Sequence, residues 1–305
     1  MWSLFRPRSK PQRLPVPFIV GCGRSGTTLL RLMLDAHPEV AIPPETNFLS
    51  SVGTLRGRDE ALRNALFQHI VQHETWPDFG LCSEDFCRQL ADVRPFTISD
   101  GLRCFYEAYA AKFGKRRWGD KTPPYCDHLR KIHRLLPEAR FLHLIRDRRD
   151  VAMSMRGMLW SPGDDVESLA RYWCQAVTAA RQPAKRCPHY LEVRYEQLVL
   201  NLSETLRAVC DFLQLEFSTE MERYHANARE RLDEVESRLN AQGTVVVTKT
   251  QRLQHHRLTS QPPQASRIGR WKSEMTSDEQ VRFVNVAGPL LAELGYETSE
   301  NRKAA

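Results

Sequence analysis

A glycine-rich segment close to the start of the chain has the composition of an anion-binding loop. It reads GCGRSGTT over residues 21–28, between the apolar run FIV and the helical pattern LLRLMLDAH. A strand, a tight turn and a helix start present unpaired backbone N–H groups and the positive end of the helix dipole at one point. Hydroxyl groups of Ser25, Thr27 and Thr28 add donors. The segment therefore predicts an anion site, although a tight connection without a ligand shares the pattern.

The loop lacks two features of an ATP or GTP site. Such a loop carries a lysine before its last serine or threonine and works with a magnesium ion. Here position 27 is threonine, and the strand pattern FLHLI ends at Arg146 rather than at an aspartate. Arg24 can instead bind a phosphate or sulfate group through its guanidinium fork. A nucleotide kinase or NTPase and a noncatalytic nucleotide-binding protein are the alternative interpretations.

Further motifs follow the loop along the chain. They are GDKTP (119–123), IRDRRDVAMS (145–154), YEQLVL (195–200), FLQL (212–215), IGRWK (268–272) and AGPLLAELGYE (287–297). With GCGRSGTTLLRLMLDAHPEV, this ordered set resembles the sulfotransferases that use 3′-phosphoadenosine-5′-phosphosulfate (PAPS). It is most similar to the tyrosylprotein sulfotransferases and the bacterial enzymes related to them. The resemblance extends over residues 17–297.

Apolar runs alternate with segments of helical period, which is typical of an α/β fold with a central, mostly parallel sheet flanked by helices. The resemblance implies the P-loop-containing sulfotransferase fold. Strands are predicted over 17–21, 40–43, 140–146 and 190–195. Helices are predicted over 26–36, 59–73, 99–113, 124–136, 148–157, 165–181, 202–213, 218–239 and 277–294.

Capping boxes mark the start of two of these helices. Thr219 with Glu222, and Thr276 with Glu279, have the three-residue spacing at which the two side chains satisfy each other's backbone N–H groups. We therefore expect helices to begin at both threonines.

The chain is predicted to form a single sulfotransferase domain over 17–298. A basic N-terminal extension, 1–16, precedes it, and a tail, 299–305, follows it. The size of the chain is sufficient for one large hydrophobic core.

A polar, proline-bearing stretch without a clear period covers residues 241–266. Irregular segments of that length are uncommon in compact domains unless they bind or close over something. We interpret it as a long loop that acts as a lid on the acceptor site, with a disordered excursion as the alternative. His255 and His256 within it are expected to be solvated.

The resemblance implies that PAPS is the donor and 3′-phosphoadenosine-5′-phosphate (PAP) the product. Arg146 and Ser154 match the family's eight-residue spacing for a clamp on the 3′-phosphate, and Tyr195 matches a tyrosine near the nucleotide. The family's next arginine falls on Met158, so that contact is absent or replaced. The cofactor-binding residues implied are Gly23, Arg24, Ser25, Gly26, Thr27, Thr28, Arg146, Ser154, Tyr195, Ser266 and Arg270.

Sulfuryl transfer requires removal of a proton from the acceptor and neutralisation of charge on the leaving side. Glu45 follows Arg24 at the interval that separates the loop arginine from the catalytic glutamate in the tyrosylprotein enzymes, so the resemblance makes it the general base. Arg24 and Lys121 would stabilise the transferred group, and the scheme requires no metal. A serine near the sulfate completes the family's set, and the candidates in order are Ser266, then Ser260 and Thr259.

The amino-acid composition indicates the cellular location and the partners that we expect. The net charge of +7 attracts anions. Eight irregularly spaced cysteines without a Cys-x-x-Cys pair suggest neither a zinc site nor a disulfide framework, and we expect neither a signal peptide nor a membrane span. We expect a cytoplasmic enzyme without nucleic-acid partners or stable membrane insertion, with a homodimer left open. The acceptor hydroxyl could belong to a phenol or tyrosine, a sugar, a lipid or a secondary metabolite.

Overall fold

A four-stranded parallel sheet forms the centre of the protein, in the order β4-β1-β5-β6. In the computed structural model, residues 13–158, 161–240 and 242–297 are described. The strands are β1 (Val16–Gly21), β4 (Asp120–Lys121), β5 (Ala139–Ile145) and β6 (Tyr190–Arg194). A separate parallel pair joins β2 (Val40–Ala41) to β3 (Arg117–Trp118). The predicted α/β class with a mostly parallel central sheet is confirmed.

Both faces of the sheet are buried, which explains why β1 and β5 are almost continuously apolar. Phe18 and Phe141 are paired in register and belong to one hydrophobic cluster. Ile19 and Leu142, one residue further along each strand, belong to a second cluster. Because successive strand residues point to opposite faces, helices cover the sheet on both sides.

The helices that surround the sheet agree closely with most predicted ranges. They are α1 (Thr27–Asp35), α2 (Asp59–Val71), α3 (Ser83–Asp92), α4 (Ile98–Ala111), α5 (Leu129–Leu135), α6 (Arg148–Met155), α7 (Val166–Ala184), α8 (Tyr195–Leu200), α9 (Leu202–Leu213), α10 (Ala228–Leu232), α11 (Lys249–His256), α12 (Trp271–Glu274) and α13 (Ser277–Glu293). The helix predicted over 124–136 is divided, since a 3₁₀ segment, Pro123–His128, precedes α5. No helix among these described residues is long and apolar enough to cross a membrane.

The helix predicted over 218–239 is wrong in extent. Two short 3₁₀ turns precede α10, and the stretch ends in a short strand, β7 (Arg238–Leu239). The capping box expected at Thr219 does not form, because the Ser218 side chain accepts the hydrogen bond from the Glu220 N–H one position earlier. At the other predicted start, Thr276 does form the box at the beginning of α13.

The stretch 241–266 is not one irregular loop. It contains β8 (Val245–Val247), which pairs antiparallel with β7, and then α11. Thr248 and Gln251 form a capping box at the start of this helix, and Leu253 packs against the second hydrophobic cluster. A single apolar contact on a short helix gives too weak a periodicity for prediction from sequence.

The parallel strands bring four chain segments to one edge of the sheet. Gly21 ends β1, Ile145 ends β5, Arg194 ends β6, and Lys121 ends β4. In open parallel sheets, ligands bind beyond the carboxyl ends of the strands. The glycine-rich loop follows β1 at this edge, Arg146 follows β5, and Tyr195 follows β6.

Candidate active site

The glycine-rich loop adopts a strained turn between β1 and α1. Arg24 has a φ of 67° and Gly26 has a φ of 98°, both in the left-handed region. That conformation is costly for a non-glycine residue and is concentrated at functional sites. Glycine at 26 is also required by space, because a Cβ there would lie 2.6 Å from Cδ2 of Tyr195. The ring of Tyr195 therefore packs directly on the loop.

Polar groups of this loop are buried with donor capacity unused. Ser25 is fully buried, and among the residues that the structure describes its Oγ has no hydrogen-bond partner. Thr27 and Thr28 are also buried at the start of α1, where the N-cap residue is glycine and offers no side-chain acceptor. An unsatisfied buried hydroxyl is costly, and an oxyanion placed here would satisfy it.

The guanidinium of Arg24 lies between two elements that are distant in sequence. Its Nε donates to Oγ of Ser154 on α6 at 3.1 Å, and its Nη1 donates to the carbonyl oxygen of His255 at 3.0 Å. The loop, α6 and the carboxyl end of α11 thus meet at this side chain. Ser154 was predicted to act with Arg146 on the 3′-phosphate, whereas its hydroxyl here accepts from Arg24.

Arg146 lies beside Arg24 and is 5% exposed. Its Nη1 donates to the Arg24 carbonyl at 3.3 Å and its Nη2 to the Arg267 carbonyl at 2.7 Å. Its Nε is buried and has no partner within the described ranges. The guanidinium carbon lies 4.2 Å from the centre of the Tyr195 ring, a cation–π contact that fixes the plane of the fork.

Three arginines concentrate positive charge at this edge. Arg24, Arg146 and Arg267 form no ion pair with any carboxylate in the described part of the chain. Burial, and then the charges of Arg146 and Arg267, lower the pKa of Arg24. Uncompensated cations with free donors are the electrostatic requirement for binding an anion with several charges.

The segment 267–271, which includes the carbonyl that accepts from Arg146, is held in place by residues at the start of α6. Asp150 accepts hydrogen bonds from the backbone N–H of Gly269 at 2.7 Å and of Trp271 at 3.1 Å. The guanidinium of Arg149, paired with Asp147, lies 3.6 Å over the Trp271 ring. These contacts fix the carbonyl of Arg267 to which Arg146 donates. Trp271 therefore serves packing.

Two predicted catalytic side chains are in direct contact. Nζ of Lys121 donates to Oε1 of Glu45 at 2.6 Å. Lys121 is buried, and burial is the main cause that lowers its pKa, while the Glu45 charge opposes that shift. The Glu45 side chain is 36% exposed, so its second oxygen can be reached by an acceptor molecule.

His256 lies next to this pair and was not predicted as a site residue. Burial, and then the charges of Lys121 and Arg24, hold its pKa well below the usual range, so the imidazole is neutral at pH 7. The expectation of a solvated residue is wrong for His256, which α11 carries toward the site. Its position depends on how α11 docks, which no local sequence signal specifies.

The candidates for the sulfate-contacting serine differ in what they bind. Oγ of Ser260 donates to the Arg257 carbonyl, and Oγ1 of Thr259 donates to the His256 carbonyl, so both hydroxyls have local acceptors. Ser266 is exposed and lies in the turn Ala265–Arg267, beside the carbonyl that accepts from Arg146. Among the three, Ser266 lies in the segment that contacts the predicted donor site.

Arg270, also predicted to bind the donor, has a different partner. Its guanidinium makes two hydrogen bonds to the Glu274 carboxylate one helical turn later, at 2.7 and 2.8 Å. An arginine neutralised in this way attracts an anion less strongly than its neighbour Arg267 does. The distinction between the two arginines cannot be read from their spacing.

The match to known proteins agrees with this arrangement. The model of the family described as the sulfotransferase family matches residues 15–219. The chain belongs to the sulfotransferase family. Protein-tyrosine sulfotransferase 1 of Danio rerio is 26% identical over 298 residues, covering 94% of this chain and 74% of that protein. Protein-tyrosine sulfotransferase 2 of Gallus gallus is 26% identical over 301 residues, covering 95% and 71%.

A solved structure confirms the sulfotransferase fold. The sulfotransferase domain of the Synechococcus PCC 7002 olefin synthase superposes with a TM-score of 0.57 at 22% identity, covering 95% of this chain and 98% of that domain. The family that the ordered motifs indicated is therefore confirmed. For this sulfotransferase, the loop, the arginines and the Glu45–Lys121 pair at one sheet edge are the candidate active site.

Proposed function

We propose that this sulfotransferase transfers a sulfuryl group from PAPS to an acceptor hydroxyl by in-line displacement, with Glu45 as general base. The observation that carries the proposal is the arrangement at one sheet edge. Three arginines without carboxylate partners among the described residues lie beside the loop, and the charges of Lys121 and Arg24 both lower the pKa of His256, which links the Glu45–Lys121 pair to these arginines. A multiply charged donor and a proton acceptor would thus have adjoining sites.

The unused donors fit the two anionic ends of PAPS. Ser25 Oγ and the amides at the start of α1 would hold the 5′-phosphosulfate, as helix N-termini hold phosphates. The free Nε of Arg146, with Ser154 nearby, would hold the 3′-phosphate. Tyr195, packed on Gly26 and under Arg146, would orient both sites relative to each other.

The reaction forms a bond between the acceptor oxygen and sulfur as the bond from sulfur to the phosphate oxygen breaks. Glu45 would take the hydroxyl proton through its accessible oxygen. Negative charge then develops on the departing oxygen of PAP, where Arg24 and Lys121 would stabilise it. Arg24 is held in place before the reaction by Ser154 and the His255 carbonyl, which limits its reorganisation.

A phenolic hydroxyl is the acceptor class that we favour. The two relatives reported above are named protein-tyrosine sulfotransferases. The charges of Lys121 and Arg24 both act on His256, and the turn that carries Ser266 contacts Arg146 through the Arg267 carbonyl, so we propose that α11 and the following residues shape the acceptor pocket. The cytoplasmic location and the homodimer stay predictions.

The decisive experiment combines labelled donor with the Glu45→Gln variant. Purified protein and ³⁵S-labelled PAPS would be incubated with a tyrosyl peptide, 2-naphthol or an extract of the native organism, and labelled products identified. We expect Glu45→Gln to lower the transfer rate by about 10²- to 10⁴-fold, the usual contribution of a general base. PAP binding, measured by calorimetry, should stay near that of the wild type.

The exposed Glu60 on α2 provides a matched control, since Glu60→Gln makes the same chemical change on a helix that carries none of the proposed site residues. Wild-type transfer rates in Glu45→Gln would show that Glu45 is not the base. Tight binding of Mg-ATP without binding of PAP would refute PAPS as donor.

A further inference from the structure

A buried hydrogen-bond network lies directly behind the Glu45–Lys121 pair. Thr46, the residue after Glu45, and Asp120, the residue before Lys121, are both fully buried. Oγ1 of Thr46 donates to Oδ2 of Asp120 at 2.6 Å. The two catalytic candidates therefore sit on chain segments that are joined through their neighbours.

The geometry of the two segments explains this pairing. Lys121 ends β4, and β4 is fixed in the sheet by its pairing with β1. Because side chains alternate along a strand, Asp120 and Thr122 point away from Lys121. Lys121 meets Glu45 on one side, while Asp120 bonds Thr46 Oγ1 and Oγ1 of Thr122 accepts the Thr46 backbone N–H at 3.1 Å on the other.

Every polar atom of Thr46 is engaged. Its hydroxyl gives its only proton to Asp120, so the Tyr125 hydroxyl at 2.8 Å, which itself accepts from the Leu49 N–H, is the donor to Thr46. The Thr46 carbonyl accepts from the Thr75 hydroxyl at 3.0 Å. Because every polar atom of Thr46 is hydrogen-bonded, these contacts hold the backbone of residue 46 in one position, although Oδ1 of Asp120 has no partner among the described residues.

Glu45 itself has no comparable restraint. It lies on an irregular segment after β2, its side chain is partly exposed, and its one side-chain contact among the described residues is to Lys121. In the proposed reaction Lys121 also serves the departing oxygen. When Lys121 turns to that oxygen, the hydrogen bonds that hold the backbone of Thr46 keep Glu45 at the reacting centre.

We propose that Thr46 and Asp120 are positioning residues for sulfuryl transfer, and that their hydrogen bond fixes where the Glu45 carboxylate stands relative to Lys121. This inference rests on the proposed role of Glu45 as general base. It assigns the aspartate and the threonine of the GDKTP segment to holding residue 46, and only the lysine to the reacting atoms.

Thr46→Val tests the proposal, because valine has nearly the shape of threonine but lacks the hydroxyl. We expect the kcat for transfer to the labelled product identified above to fall by about 10- to 100-fold, the effect of misplacing a reacting group by about 1 Å. KM for PAPS and the affinity for PAP should be unchanged, since neither residue contacts the loop arginines. Thr46→Ser keeps the hydroxyl and should restore the rate to within a few-fold.

A double variant separates positioning from a general structural effect. If Thr46 acts through Glu45, adding Thr46→Val to Glu45→Gln should lower the rate little further, since residues that act as a unit are not additive. A wild-type kcat for Thr46→Val, or an equal additional loss in the Glu45→Gln background, would overturn the proposal. A wild-type rate for Glu45→Gln alone would instead refute the proposed function.

If Thr46→Val does not fold, as judged by circular dichroism, Asp120→Asn provides the second test. Its amide oxygen still accepts from Thr46 with a weaker bond, so kcat should fall with PAP affinity retained. An unchanged kcat in Asp120→Asn and full activity in Thr46→Ala would refute the positioning role.

Discussion

Neutralising Arg267 should have opposite effects on the stability of the empty protein and on nucleotide binding. Its guanidinium lies near Arg24 and Arg146, and no carboxylate among the described residues pairs with it. Replacement by glutamine in Arg267→Gln removes one of three mutually repelling charges. The backbone carbonyl that accepts from Arg146 is retained.

The size of the stability effect follows from Coulomb's law with screening. Two unit charges about 8 Å apart repel by about 2 kcal/mol at an effective dielectric constant of 20. Arg267 is partly exposed, so solvent and salt screen most of this repulsion. We therefore expect a gain of about 0.5 to 1 kcal/mol, which raises Tm by about 1 to 4 °C for a domain of this size.

The effect on binding has the other sign. A lost hydrogen bond from a charged group to a phosphate costs about 1.5 to 3 kcal/mol. That cost corresponds to about 10- to 150-fold weaker binding of PAP, since 1.4 kcal/mol is tenfold in affinity. Binding should also depend less on salt concentration in the variant, because one phosphate contact fewer is made.

Calorimetry with PAP and thermal unfolding without ligand measure the two effects on the same preparation. Arg130→Gln is the matched control, since Arg130 is exposed on α5 and its removal changes the net charge equally. A lower Tm for Arg267→Gln would show that Arg267 stabilises the fold. Unchanged PAP affinity would show that the arginine cluster does not hold the donor.

Two further predictions concern the loop and the buried acid. Gly26→Ala should abolish measurable PAP binding by calorimetry and lower Tm, because the new Cβ would overlap the Tyr195 ring in a backbone conformation with φ of 98°; PAP binding at wild-type affinity would contradict the loop geometry. Burial raises the pKa of Asp120 to about 6, so the carboxyl binds its proton more tightly when folded. The stability it contributes is present below pH 4 and is lost as pH rises through about 6. The Tm difference between the wild type and Asp120→Asn, followed from pH 4 to 8, should show this step, and a constant difference would refute it.

The central fold could be predicted because its signals are local. The strands β1 and β5 are apolar runs buried on both faces, and the loop between β1 and α1 has a distinctive glycine pattern. The strands β3 and β4, of two residues each, were missed, since so short a strand has no measurable periodicity.

The sequence motifs point to candidate site residues, whereas the contacts among these residues depend on the tertiary fold. The motifs indicated Arg24, Glu45 and Lys121, and these lie together in the structure. The contact between Lys121 and Glu45 joins positions 76 residues apart, so it depends on the register of β4 beside β1. The contact of the Arg267 carbonyl with Arg146 likewise joins positions distant in sequence, whereas the ion pair of Arg270 with Glu274 is local.

The partners of the arginines decide how readily the site can accept a donor. Arg24 and Arg146 donate to the neutral carbonyls of His255 and Arg267, and Arg24 also donates to the Ser154 hydroxyl, so an incoming phosphate competes only with uncharged acceptors. Lys121 is instead paired with the carboxylate of Glu45, and an anion must displace a full charge to reach it. The ion pair adds the attraction of two full charges to its hydrogen bond, so the arginines should exchange partners first. In the proposed mechanism Lys121 is then freed only as Glu45 takes up a proton, which would couple removal of the acceptor's proton to stabilisation of the leaving oxygen.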